Sequence, residues 1–287
     1  MKNLSNTEYH AHPAIGASGL RLLNQAPAKY YAAYLDPNRK PMEPTPAMLR
    51  GTMIHTACLE PHLFDEQYVT VPDGIDKRTK DGKQLFADIE ASGKTPIKSD
   101  DAALAKTLAD AVNFHPFMVD KLHLNAAVHI EKSFITEIIG VQVKIRPDVF
   151  IEPCKTYPNG LIIDLKTTAD ASSAGWSKSI TNYEYYLQSA LYANVLREIY
   201  QTKELPTFYW FAQETEAPYL NKPYRATDMI QQYGWDECLR LLEVYKECRI
   251  SGVWHGYGED EEDAELPIWK QREITASEGE IEVSYVK

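Results

Sequence analysis

The chain has 287 residues, 44% of them hydrophobic and 25% charged, a balance typical of soluble globular proteins and enough for one large domain or two small ones. No run is long and apolar enough to span a membrane, and Met1 to Glu8 lacks the apolar stretch of a secretory signal, so a cytoplasmic location is expected. The formal net charge of −11 excludes a broadly basic surface, and Cys58, Cys154, Cys238 and Cys248 fit no zinc or iron–sulfur spacing.

Ser18 to Leu35 reads as a helix with Ser18 as its N-cap, ended by Asp36-Pro37-Asn38. Pro44-Thr45-Pro46 leads into a second helix that carries Gly51 and His55 and stops near Glu60-Pro61. Residues 62–100 mix turn formers with charge, which predicts a mobile surface insertion. Residues 100–121 read as one or two helices. The period then changes: 127–139, 141–151 and 161–168 read as strands, with Glu137 a polar break and Gly140 a turn. Tyr183 to Tyr200 is helical, with Leu187, Leu191, Val195 and Ile199 on one stripe. A strand over 207–212 and a long amphipathic helix over 226–249 follow.

Helix, three strands, helix, strand predicts an α/β fold with a mixed central β-sheet flanked by helices, in αβββαβ order with N-terminal helical additions. One domain is expected over 1–257, its core about 45–215, followed by an acidic C-terminal tail at 258–287. Residues 259–265 read Glu-Asp-Glu-Glu-Asp-Ala-Glu, so much of the negative charge is local. The N-terminal part carries Arg21, Lys29, Arg39, Lys40 and Arg50 against few acids. A polyanion is then expected only in a lined groove or channel.

The chemistry sits in two short strings, Ile145-Arg146-Pro147-Asp148 and Ile162-Ile163-Asp164-Leu165-Lys166, separated by turn formers. A hairpin would bring Asp148 beside Asp164. Strand side chains alternate faces, so Asp164 and Lys166 point the same way and Leu165 points away. An acid after Leu161-Ile162-Ile163 in a central strand needs a chemical reason to be there. Two carboxylates and a lysine can hold divalent metal and assist attack of water on a phosphodiester. Glu131 lies in the strand-like run before Asp148. Gln188 and Tyr192, at i and i+4, share one helix face. Glu137 is a weaker carboxylate candidate. His129 shares the predicted strand face with Glu131 but fits a surface or interface histidine better than a ligand; His10, His12, His62, His115, His123 and His255 show no ligand spacing. Arg21, Lys29 and Arg50 are candidates for phosphate contacts. The aromatic runs Tyr183 to Tyr186 and Phe208 to Phe211 read as core, with one exposed ring a candidate wedge.

The order Gly-x-x-x-His, Glu, Pro-Asp, Asp-x-Lys, Gln-x-x-x-Tyr resembles the PD-(D/E)XK nuclease superfamily, in its exonuclease subgroup with RecB-like nuclease motifs. Residues 18–23 and 49–61 are similar to the exonuclease VIII (RecE)-like family of phages and prophages, and the likeness covers roughly 7–250. This resemblance implies a restriction-endonuclease-like core and an exodeoxyribonuclease that digests linear double-stranded DNA 5′→3′, leaving 3′ tails for recombination. It implies a two-ion Mg²⁺ site, with Mn²⁺ as a substitute, held by His55, Glu131, Asp148, Asp164 and the Leu165 carbonyl. Lys166 would orient the attacking water or stabilise developing charge. Gln188 and Tyr192 would contact DNA and position the ligands, and Gly51 would let its helix approach the sheet. The implied partners are double-stranded DNA ends, a single-strand annealing recombinase and further copies of the chain in a trimeric or tetrameric ring, in a bacterial or phage-encoded setting. Two competing readings keep the fold: a structure-specific or restriction-type endonuclease, and an inactive DNA-binding or scaffold module. Intact Asp148, Asp164 and Lys166 argue against the second.

Overall fold

The structure is a computed structural model and describes residues 3–39, 45–76, 78–122, 127–258 and 260–275. Lys40, Pro44, His123, Glu259 and the end of the acidic tail (276–287) lie outside them. The chain forms two compact units, Met1–Trp254 and His255–Lys287. Among the described residues no helix is long and apolar enough to cross a membrane.

The first unit opens with α1 (Asn6–Ala11) and α2 (Ala17–Gln25). The single helix expected over 18–35 is interrupted. Pro27 has no N–H to continue α2, so α3 (Pro27–Tyr30) starts there and runs into a π-helical turn at Tyr31–Leu35. The expected Ser18 cap is also corrected: Ser18 lies inside α2, whose N-cap is Gly16 without a side-chain hydrogen bond. α4 (Pro46–Leu59) starts on Thr45, whose hydroxyl accepts from the Met48 N–H.

Residues 62–100 carry regular structure, where the sequence suggested turns. α5 (Pro61–Gln67) leads to β1 (Tyr68–Val71), α6 (Lys80–Ser92) and β2 (Thr95–Lys98), and β1 pairs with β2 in parallel. The crossover is made possible by clean helix ends: Thr79 caps α6 and Gly93 closes it in the left-handed region. α7 (Ser99–Asn113) and α8 (Pro116–Leu122) follow, divided just before Pro116.

The strands anticipated at 127–139 and 141–151 are each broken in two. They form β3 (Val128–Ile130) with β4 (Phe134–Ile138), and β5 (Val141–Ile145) with β6 (Val149–Ile151). Glu131 takes a left-handed backbone, φ 48°, and Pro147 has no N–H to give a ladder. The two breaks face each other, because the Glu131 N–H donates to the Asp148 carbonyl at 3.1 Å. Beyond them β4 and β5 pair as a separate hairpin, turning at Ile139 and Gly140, both at positive φ.

β7 (Leu161–Thr168), α9 (Ser173–Asn182), α10 (Tyr185–Tyr200), β8 (Thr207–Glu214), β9 (Asn221–Arg225) and α11 (Asp228–Ser251) complete the unit. The main sheet has the order β3-β6-β7-β8-β9, with β7 and β8 parallel and the other pairs antiparallel. α9 and β9 had no counterpart in the sequence reading. One face of the sheet buries Phe150, Ile162, Phe208 and Trp210 against α2, α10 and α11. The other buries Val149, Leu161, Ile163, Leu165 and Phe211 against α4, α7 and α8. Both faces of β7 are covered, which explains its near-continuous apolar run. Each such large side chain contributes about 1.5–3 kcal/mol of burial.

α10 and α11 approach so closely that a Cβ on Gly234 would lie 2.3 Å from the Tyr186 carbonyl oxygen and 2.9 Å from Ala190 Cβ. Gly234→Ala is therefore expected to destabilise the chain by about 1–3 kcal/mol. Denaturant unfolding should show a lower midpoint at an unchanged slope. A variant as stable as the parent would contradict this helix contact.

Candidate active site

Asp164 and Lys166 project from β7 on the face covered by α10. Asp164 is fully buried, at 0% exposure. Its Oδ1 accepts from Gln188 Nε2 at 2.8 Å, and its Oδ2 pairs with the Lys166 ammonium. Asp148 stands in the break between β5 and β6, where its Oδ2 accepts from the Leu165 N–H at 2.7 Å. From the opposite face α4 brings His55, with Nδ1 3.5 Å from Asp148 Oδ2. The Leu165 carbonyl also faces His55. Ligand atoms of His55, Glu131 and Asp148 lie within 4.8 Å of one another. The facing strand breaks bring Glu131 to this place; a continuous β3–β4 strand would carry it past. Tyr192 is buried beside the Gln188 amide.

Burial pushes the Glu131 carboxyl up to about 9, and the charges of Asp148 and Glu60 push the same way. Burial raises Asp148 to about 6, against the pull of Lys166 and of the Leu165 N–H. Asp164 is likewise raised to about 6 by burial, with Lys166 opposing and Asp148 adding. For Lys166 burial acts downward, but Asp164 and Asp148 outweigh it and hold the ammonium above the ordinary lysine value. Burial and the Lys166 charge push His55 down to about 4, leaving the neutral, ligating form of imidazole near neutral pH. Carboxyls competing for protons in a desolvated space are relieved by a cation. Carboxylate oxygens, one neutral imidazole and a nearby carbonyl together fit a divalent one.

The other sequence candidates are placed differently. Arg21 lines the groove in front of the site, and its Nη1 donates to the Tyr183 carbonyl at 3.1 Å. Arg50 stands 4.0 Å from Asp101 and Lys29 donates to Gln25 Oε1 at 3.1 Å; neither lines the groove. Glu137 is exposed on the hairpin opposite Gln142. His129 does not share a strand face with Glu131, because the strand stops at Ile130. It instead meets Glu152 at 2.6 Å and stacks on Phe150. The role expected for Gly51 is corrected too: a Cβ there would meet nothing within 4 Å, so close packing of α4 does not require this glycine.

The groove measures about 760 Å³, and Glu131, Lys166, Gln188 and Tyr192 lie along it. Sequence reasoning missed part of its wall. Lys144 Nζ donates to the carbonyls of Tyr9 at 2.6 Å and His12 at 2.8 Å. Arg146 donates to the Leu4 carbonyl and Ser133 Oγ, each at 2.7 Å, and lies over the Tyr9 ring. These two cations tie α1 and its flanks against β5, so the N-terminal segment closes one side of the groove. The available signal was the alternation Gln142, Lys144, Arg146 in a strand whose other residues are apolar.

A solved structure of a candidate exonuclease from Eubacterium rectale superposes with a TM-score of 0.57 at 15% identity, over 94% of this chain and 98% of that one, which shows a shared fold. SSO0001 reaches a TM-score of 0.30 at 14% identity, over 69% of this chain and 86% of that one, too little to bear on the fold. No curated protein matches the chain. The model of a family described as a PDDEXK-like domain of unknown function (DUF3799) matches residues 16–264. That span takes in β7, both strand breaks and the helices that bring His55 and Gln188 to them, and this chain belongs to the PDDEXK-like family DUF3799.

Proposed function

We propose that this chain is a divalent-metal-dependent exodeoxyribonuclease acting on the ends of linear double-stranded DNA. The observation that carries the reading is the convergence of His55, Glu131 and Asp148 on one point, with the Asp164–Lys166 pair beside it. His55, Glu131, Asp148, Asp164 and the Leu165 carbonyl are the groups that would hold the cation. Bound there, Mg²⁺, or Mn²⁺ in its place, supplies Lewis-acid stabilisation of charge at the phosphate and at the departing oxygen.

The residues do the rest. Water adds across one P–O bond: its oxygen ends on phosphorus, and the leaving oxygen gains a proton. Lys166 stays protonated, so it does not take that proton; it faces the negative charge that develops at phosphorus. Gln188 fixes the Asp164 carboxylate by one oxygen and leaves the other to Lys166. Tyr192 backs Gln188.

The order of motifs supports a finer statement. The strand is digested 5′→3′, the 3′ tail left behind suits a strand-annealing recombinase, and a trimeric or tetrameric ring encloses the duplex in a bacterial or phage-encoded cytoplasmic system. An acidic chain then meets DNA where Arg21 and Arg39 face the groove. The test is digestion of linear duplex labelled at the 5′ or the 3′ end, with covalently closed circles as control. Prompt Mg²⁺-dependent release of the 5′ label with circles intact is expected. Cut circles would move the reading to an endonuclease, and no cleavage with either metal to a DNA-binding module.

A further inference from the structure

A run of stacked aromatic rings leads from the core into the groove. Trp176, 2% exposed, stacks with Tyr224 at 5.6 Å and with Tyr185 at 5.7 Å, the planes 14° and 28° apart. Tyr185 stacks in turn with Tyr183 at 5.5 Å and 29°. Packing accounts for Trp176, Tyr224 and Tyr185. It does not account for Tyr183, which is 55% exposed and lines the groove with Tyr185. The sequence reading placed this aromatic stretch in the core; the structure leaves its first ring outside.

The exposed ring is held in place from several directions. Glu184, between the two tyrosines, takes a left-handed backbone at φ 52°, which a residue with a Cβ adopts only when its surroundings hold it there. Asn24 Nδ2 donates to Glu184 Oε1 at 2.5 Å, and Arg240 Nη2 donates to Asn24 Oδ1 at 2.7 Å. Arg21 holds the Tyr183 carbonyl and brings positive charge to the same wall. Lys166 Nζ lies 5.5 Å from the centre of the Tyr185 ring. The exposed ring is thus one stacked neighbour away from the lysine placed at the phosphorus. A rigid π-face beside a cationic wall suits an unpaired base, because every base has a π-face and stacking on an aromatic ring tolerates any sequence.

We propose that Tyr183 is a stacking platform for an unpaired nucleobase next to the phosphodiester being cut. The proposal rests on the nuclease reading above. The test uses the full chain in single-turnover digestion of linear duplex with Mg²⁺ or Mn²⁺. One substrate is intact; in others, one of the first nucleotides of the digested strand is abasic. For the parent, removal of the stacked base should slow cleavage roughly tenfold or more. Tyr183→Ala should lose a similar factor on intact DNA and become insensitive to base removal, the signature of a direct pair in a double-mutant cycle. Tyr183→Phe should keep the parent's behaviour. Tyr183→Leu, which keeps apolar bulk without a π-face, should follow Tyr183→Ala and guards against misfolding of the smaller variant. Equal base dependence in parent and Tyr183→Leu would overturn the platform and leave the nuclease reading standing. A parent that cleaves none of the substrates would overturn both.

Discussion

Asp164→Asn is expected to slow phosphodiester cleavage by about 10³-fold or more while the chain stays folded. Lys166→Ala should do the same by a different route. Asparagine keeps the shape of Asp164, and its amide oxygen can still accept from Gln188. The loss falls on the charge. Lys166 is held protonated chiefly by Asp164 against the cost of its burial. Without that carboxylate the buried ammonium releases its proton more easily, and one cation ligand is gone. Lys166→Ala removes the main charge that lowers both Asp164 and Asp148 against burial. Both carboxyls then rise further above about 6, and the residual activity should move to higher pH. The two variants therefore differ in their pH profiles though both are nearly inactive. Single-turnover rates across pH, with circular dichroism to check the fold, distinguish them. Full activity in either would remove β7 from the chemistry.

The residues of β7 could be placed from the sequence because the rule that places them is local. Alternation along one strand sets Asp164 and Lys166 on the same face, and i, i+4 spacing sets Gln188 and Tyr192 on one face of their helix; only the family resemblance suggested that this face turns toward the acids. In the structure Gln188 donates to Asp164, and Lys166 pairs with the same carboxylate. Glu131 was singled out by its place in the motif order and by its strand-like run, and the strand placement does not survive. It does not ride a strand beside His129; it sits at a left-handed residue where β3 ends, opposite the break before Asp148. Pro147 was a local hint of one break, but the other is set by pairing between segments far apart in sequence. The wall built from Lys144 and Arg146 has the same character. The carbonyls they bind lie more than 130 residues away, near the chain's start, and no local periodicity points to carbonyls there. The parallel pairing of β1 with β2 likewise joins short, half-exposed strands whose alternation is too brief to read. Gly51 shows the reverse error: a glycine near a candidate ligand histidine invited a packing role, and the space around it is open.

Glu131→Gln is expected to stabilise the metal-free chain at high pH while removing most activity. The sign follows from the raised carboxyl. Folded Glu131 holds its proton up to about 9, against an ordinary value of 4.5, chiefly because it is buried. The folded state therefore binds more protons than the unfolded state between those values, and stability falls as pH rises through that window. Asp148 and Asp164, raised to about 6 from 3.8, act in the same direction at lower pH. Glutamine cannot ionise. The variant should match the parent near pH 5 and exceed it near pH 9 by on the order of 1–2 kcal/mol, a rise of several degrees in Tm for a chain of this size. Divalent metal reverses the order. It should raise the parent's Tm more at the higher pH, where the carboxylates are charged, and raise that of the variant less. Thermal unfolding of both proteins in chelator and in Mg²⁺, at the two pH values, gives all the comparisons. A variant less stable than the parent near pH 9 without metal would show that Glu131 is not crowded against Asp148, and the cation site would lose its electrostatic argument. The expected result ties the site to its cost: the charges that would hold the cation strain the fold until the cation arrives.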